Sequence, residues 1–285
     1  MALFGKILFP TDFSTTANNA LSHALRMGNL DGTELIVQHV VSDYFERHPQ
    51  WATIFDVHEL EKKLDFHAEG EMADMIPAEA RGKLKIQRVL SKGRTDEAID
   101  ELAEKEMVDI IVMGPATGAM TGKVIRRTLR PVLSVPKATE GKGVRRMLVA
   151  TDFSDHSKKV IDYAFDLKKQ LGCALEMVHV IDTPMWLGNM IDPPAHPAVP
   201  NDMIEWAKSQ LKNLTPHEFL ADPSVERFVD IGSPSGSLEA RIQARKVDLV
   251  ILGAHGHGPV QHLLVGTTTE KLLGRALCPV LTVRT

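Results

Sequence analysis

One stretch of this chain occurs twice. Lys6-Ile7-Leu8-Phe9-Pro10-Thr11-Asp12-Phe13-Ser14 returns 140 positions later as Arg146-Met147-Leu148-Val149-Ala150-Thr151-Asp152-Phe153-Ser154. Gln38-His39-Val40-Val41 returns at the same shift as Val178-His179-Val180-Ile181. Gly93, Asp109 and Gly114 return at a shift of 139 as Gly232, Asp248 and Gly253. A shift held over separated landmarks means two copies of one domain. Each copy, at roughly 140 residues, is long enough for its own hydrophobic core. The expected division is residues 1–136, a polar, glycine-containing linker at 137–143, and residues 144–285.

Within each copy, short apolar runs alternate with segments of helical period. Residues 7–9 and 147–149 read as first strands, 34–41 and 175–181 as second strands. After the first strand, Ala17, Ala20, Leu21, Ala24 and Leu25 recur at helical spacing, as do Val160, Ala164, Leu167 and Leu171 in copy two. Residues 108–113 and 247–252 are continuous apolar runs, the mark of central strands covered on both faces. The alternation predicts an α/β fold: two tandem open, mainly parallel five-stranded sheets with helices on both faces. Such sheets take ligands beyond the carboxyl ends of their strands. Asp12 and Asp152 end first strands, and Gly114 and Gly253 end fourth strands, so these residues should converge there.

Copy two carries glycines where a ligand would lie. Residues 247–252 run into Gly253-Ala254-His255-Gly256-His257-Gly258, and Gly266 leads into Thr267-Thr268-Thr269-Glu270. Glycine lets a ligand reach the main chain without meeting a Cβ. Thr267 and Glu270 have the spacing of a capping box that opens a helix. A helix start offers free N–H donors and a positive dipole end, both suited to phosphate.

The spacing Gly253-x2-Gly256-x9-Gly266-Thr267, with the following residues 278–283, resembles the ATP-binding signature of the universal stress protein family. The resemblance spans nearly the whole chain as a tandem pair, strong in copy two and partial in copy one. It implies a Rossmann-like, adenine nucleotide alpha hydrolase-like fold and a cytoplasmic stress-response protein that binds ATP, ADP or AMP in copy two. By that resemblance Thr151 and Asp152 line the adenosine end, and Val180 meets adenine through its backbone. Gly253, His255, Gly256, His257, Gly266, Thr267 and Thr268 then form the phosphate cradle. Mg2+ could accompany the nucleotide, without an identifiable protein ligand. The family often has Arg where His257 stands. A partly charged imidazole at that place would make binding tighten as pH falls from about 7.5 to about 6. Single-domain relatives commonly pair through their last strands. Residues 131–135 and 279–283 could therefore make a pseudo-dimer within one chain, and a homodimer of such chains is also open.

Copy one departs from this pattern. Gly114 to Pro131 is 17 positions, whereas Gly253 to Pro279 is 26. The nine missing residues are expected to remove the second glycine-threonine step and much of the following helix. Pro115 also removes a backbone donor. Copy one is therefore read as mainly structural. Its run from Gly118 to Gly122, Lys123 and Val124 fails the spacing of a P-loop, and Val124 stands where Ser or Thr would hold magnesium.

Other features narrow the function. Net charge −4 gives no footprint for nucleic acid. No apolar run approaches the roughly 20 residues of a membrane span, and no signal peptide is visible. Lys123, Arg126, Arg127 and Arg130 begin a local basic cluster, read as a solvated helix face. Cys173 and Cys278 lack metal-ligand spacing and read as small buried hydrophobes. His255, His257 and His262 invite a zinc site that no carboxylate or cysteine completes. His179 reads as a satisfied edge histidine rather than a ligand contact. Residues 182–200 hold five prolines and could form a lid, a partner-binding loop for an unknown protein, or a packed crossover. Gly232-Ser233-Pro234-Ser235-Gly236 has proline where a nucleophile would stand, so no catalytic constellation is visible. The binding-module reading leads. Its rivals are a slow ATPase or nucleotide-transferring enzyme, with Asp152 as base, and a nucleotide-independent adaptor.

Overall fold

The apolar runs at residues 7–9 and 147–149 form the buried middles of two equivalent strands, one in each of two units, Met1–Gly141 and Lys142–Thr285. The computed structural model describes residues 4–27, 32–42, 48, 50, 56–77, 84–137, 139, 143–182, 199–254 and 265–284.

Unit one runs β1 (Lys6–Thr11), α1 (Thr15–Met27), β2 (Glu34–Ser42), α2 (Val57–Asp74), β3 (Lys85–Gly93), α3 (Thr95–Lys105), β4 (Ile110–Met113), α4 (Ala119–Arg127) and β5 (Val132–Ser134). Its strands lie in the order β3-β2-β1-β4-β5, every described pairing parallel. Unit two repeats the plan with β6 (Arg146–Ala150), α5 (Asp155–Leu171), β7 (Ala174–Ile181), α6 (Asn201–Asn213), β8 (Val225–Ile231), α7 (Pro234–Arg245), β9 (Leu249–Gly253), α8 (Thr267–Arg275) and β10 (Val280–Val283). Its order is β8-β7-β6-β9-β10, again parallel. Each unit is thus the expected α/β domain with five strands. The register repeats as well: Leu8 faces Ile36, and 140 positions later Leu148 faces Glu176.

Consecutive strand residues point to opposite faces, and β7 shows both faces of unit two covered. Glu176 meets Arg245 of α7, whereas Met177 meets Thr215 just beyond α6. The central strands β4 and β9 are almost entirely buried. The third strands, β3 and β8, have no apolar run, because they end their unit's strand order and are mostly half-buried.

The recurring landmarks outside the proposed site have structural work. Asp109 Oδ2 accepts hydrogen bonds from the N–H groups of Gly5 (2.7 Å) and Lys6 (2.9 Å), which fastens the start of β1. Asp248 Oδ2 does the same for Arg145 (2.9 Å) and Arg146 (3.0 Å). Gly93 and Gly232 leave the third strands at φ +118° and +134°, a conformation that a side chain would strain. Ser233 caps α7 by accepting from Gly236 N–H at 3.2 Å.

Two expectations need correction. The box that opens α8 is shifted: the N-cap is Gly266, not Thr267, and no side chain caps it. The nine-residue deficit of unit one does not shorten the helix, since α4 and α8 both have 9 residues. Thr121 Oγ1 donates to the Gly114 carbonyl at 3.1 Å, seven positions away; Thr269 Oγ1 donates to that of Gly253 at 2.9 Å, sixteen positions away. The same threonine lock thus recurs with nine fewer residues enclosed, so the deficit lies wholly in the loop. Gly118, the N-cap of α4, is the counterpart of Gly266.

The basic cluster is an ion-paired helix face where it is described. Arg127 reaches Asp96 (3.0 Å) and Glu97 (3.1 Å), and Arg130 reaches Glu104 at 2.9 Å. No helix among the described residues is long and apolar enough to cross a membrane.

Candidate functional site at the carboxyl edge of unit two

The first side of the site is the turn between β6 and α5. Thr151 is buried; its Oγ1 accepts from Phe153 N–H at 3.0 Å and lies 2.9 Å from Ser157 Oγ. Ser157 Oγ donates to the Ser154 carbonyl at 2.9 Å, so Thr151 is the donor to Ser157. Asp152 Oδ1 accepts from the N–H (3.0 Å) and Oγ (2.6 Å) of Ser154, whose Oγ caps α5. One oxygen of Asp152 therefore orders the turn, and the residue is half-exposed at the carboxyl edge of the sheet.

These bonds bend the chain so sharply that Phe153 sits at φ +64°. A bulky residue seldom adopts that left-handed conformation, and it must be held there. The His179 ring stacks on Phe153 at 4.1 Å with 26° between planes, and Trp206 meets the same ring edge-on at 5.3 Å and 84°. His179 Nδ1–H donates to the Thr151 carbonyl at 2.9 Å. Burial pushes the imidazole below its ordinary value, more than this hydrogen bond and Asp152 raise it. His179 is thus the satisfied edge histidine expected from sequence. Val180 follows it on β7, half-buried.

The second side lies between β9 and α8. Ala254 N–H donates to the Val283 carbonyl (2.9 Å), and Gly266 N–H donates to the Ala254 carbonyl (3.0 Å). Together with the Thr269–Gly253 bond, these contacts pin both stems of the segment between residues 254 and 266. The first N–H groups of a helix have no acceptor within it. With Gly266 as N-cap, the first turn begins at Thr267 and Thr268 without a side-chain cap, which suits a phosphate. His255, Gly256, His257 and His262 lie outside the described residues, as do residues 183–198 of the proline-rich segment. Among the described residues no group of three His, Cys, Asp or Glu is placed to hold a metal.

Unit one keeps the first side, and of the second it keeps the stems and the helix start but not the loop length. Phe13 has φ +61°, stacks on His39 at 4.4 Å and 25°, and His39 Nδ1–H donates to Thr11 O at 2.8 Å. Asp12 Oδ1 accepts from Ser14 N–H at 3.0 Å. The helix start is kept as well, with Gly118 N–H bonding Pro115 O (3.1 Å) as Gly266 N–H bonds Ala254 O, and Ala116 N–H bonds Ser134 Oγ of β5 (3.0 Å). Sequence reading missed the aromatic contacts of Phe153 with Trp206. The two residues lie 53 positions apart, and no periodicity announces their meeting.

Comparison with known proteins gives matches along both units. The model of the universal stress protein family matches residues 3–136 and again 143–284. A universal stress protein of Methanocaldococcus jannaschii is 30% identical over 157 residues, covering 47% of this chain and 96% of that protein. One from Mycolicibacterium smegmatis is 24% identical over 293 residues, covering 98% of this chain and 96% of its own length. The solved universal stress protein of Archaeoglobus fulgidus covers 98% of this chain and 96% of its own, with TM-score 0.65 and 20% identity, and so shares the fold.

Proposed function

Because this chain belongs to the universal stress protein family, we propose that its second unit binds an adenine nucleotide, ATP or its di- or monophosphate, and that its first unit is mainly structural. The adenosine end is assigned to Thr151, Asp152 and Val180. The phosphates are assigned to Gly253, Gly266, Thr267 and Thr268, with His255, Gly256 and His257 completing the cradle.

One observation carries the reading. Gly266 N–H bonds the Ala254 carbonyl, which sets an uncapped helix start beside the carboxyl end of β9. A polyphosphate there would meet N–H donors and the positive end of the α8 dipole. Asp152, beyond β6, offers an acceptor for ribose hydroxyls or the adenine amino group. A divalent ion such as Mg2+ would arrive with the polyphosphate and offset its charge. Unit one has the matching Gly118–Pro115 bond, but its loop is nine residues shorter and Pro115 offers no N–H, so it would give a phosphate less support. A regulatory protein that senses nucleotide state follows from this arrangement. Its partner would be another protein, with no nucleic acid and no membrane insertion.

The test is acid extraction of the purified protein with mass spectrometry of what is released, beside a Gly266→Glu variant. One adenine nucleotide per chain, lost in the variant, supports the reading. If nothing is released, and neither ATP nor ADP binds on titration, the reading fails.

A further inference from the structure

We propose that Trp206 is a positioning residue for the nucleotide site, acting through Phe153 on Asp152; this rests on the nucleotide reading above. The turn that carries Asp152 contains a phenylalanine at φ +64°, so its geometry depends on what grips the ring. His179 grips one side, and Trp206 meets the ring edge-on at 5.3 Å. An edge-to-face pair of this kind is attractive and directional, because the positive ring edge seeks the negative face.

Trp206 does not earn its place as core. It is 53% exposed, while Ala207 and Leu211 on the same helix are buried. The first unit shows that the turn forms without it. Ala68 and Met72 of α2 are buried 139 positions before Ala207 and Leu211, which sets Trp206 opposite His67. His67 is exposed, and among the described residues the ring packed on Phe13, at φ +61°, is His39. Among the described residues the additional aromatic grip stands in the unit to which the phosphate cradle is assigned. A tryptophan that is half in solvent, in contact with the residue after Asp152, and matched in unit one by an exposed histidine has a positional role. It narrows the orientations of the turn, so that the carboxylate is set before the nucleotide arrives and less freedom is lost on binding.

The experiment uses the full chain with Trp51→Phe and Trp186→Phe, leaving Trp206 as the only tryptophan. ATP should change Trp206 emission, and inorganic tripolyphosphate should bind without that change. Trp206→Ala should weaken ATP binding roughly 2- to 10-fold, Trp206→Phe should restore most of it, and tripolyphosphate affinity should stay constant. In an Asp152→Ala background, Trp206→Ala should add little, since both act through one carboxylate. Additive losses, or equal losses for ATP and tripolyphosphate, overturn the role while leaving nucleotide binding intact. If the single-tryptophan protein binds no ATP, the nucleotide reading falls and this role with it.

Discussion

His179 and Thr151 are joined by a 2.9 Å hydrogen bond from imidazole Nδ1 to a main-chain carbonyl. A carbonyl only accepts, so Nδ1 carries the proton and, in the neutral ring, Nε2 does not. The bond fixes the ring that stacks on Phe153, and the same pair recurs as His39 and Thr11 at 2.8 Å.

Stability should therefore fall in mild acid. The His179 imidazole titrates below its ordinary 6.5 in the folded chain because burial disfavours its charge. The unfolded chain then binds more protons in the window between the two values, so stability declines as pH drops through about 6.5. Urea midpoints at pH 7.5 and 5.5 check this. His179→Asn should flatten the dependence and, by losing the stack, cost about 1–2 kcal/mol at pH 7.5. An unchanged slope in the variant would count against a buried neutral ring.

The two threonine locks give a matched pair of variants. Thr121→Val and Thr269→Val each remove a hydrogen bond from a buried hydroxyl, and each should cost about 1 kcal/mol of stability. Only Thr269→Val should also weaken ATP binding, because only that lock anchors the helix start assigned to phosphate. Denaturation and calorimetric titration of both variants separate the effects. Equal loss of binding in the two would place the ligand elsewhere.

Glu176 is wholly buried and meets Arg146 (2.7 Å), Arg245 (2.8 Å) and Arg241 (3.6 Å); from β8, Glu226 pairs with Arg146 and Arg245, and Asp230 with Arg241. Removing one member of a buried ionic group strands the rest. Glu176→Ala should cost about 3–5 kcal/mol by chemical denaturation. Ile36→Ala at the equivalent register of unit one should cost about 2–5 kcal/mol through the cavity alone, and only the Glu176 loss should depend on salt.

Asp222 is the acid-sensitive point of the opposite edge. Hydrogen bonds from the side chain and N–H of Ser224, and from Lys168, hold its carboxyl down at about 2. A depressed carboxyl stabilises above its unfolded value, near 3.8, and that contribution is lost as pH falls toward 2. Asp222→Asn should show a shallower loss of stability between about pH 4 and 2 in acid melts. An identical acid profile would show that the pair is exposed enough to be screened.

The sequence went far where its signals are local or repeat. Two copies, the parallel α/β class, the central strands and the meeting of Asp152 with Gly253 and Gly266 at one edge follow from a constant shift, uninterrupted apolar runs and the rule that such sheets bind at their carboxyl ends. The count of nine missing residues was also legible, but not its location. A gap in a sequence says how many residues are absent, while the Thr121–Gly114 and Thr269–Gly253 bonds say that the helices match and the loop does not.

Long-range side-chain choices were out of reach for the same reason. The bonds of Thr151, Asp152 and Ser154 bend the turn locally, but nothing near Phe153 announces the rings of His179 and Trp206 that pack on it, distant in sequence. Likewise Glu176 reads as a polar interruption of β7 until Arg245 of α7 folds over it. Sequence by itself determined the repeated plan and the candidate ligand edge, since periodicity and glycine placement act over a few residues. Tertiary structure alone decided which rings grip the Asp152 turn and which stems close the cradle, since those energies exist only once separate elements touch.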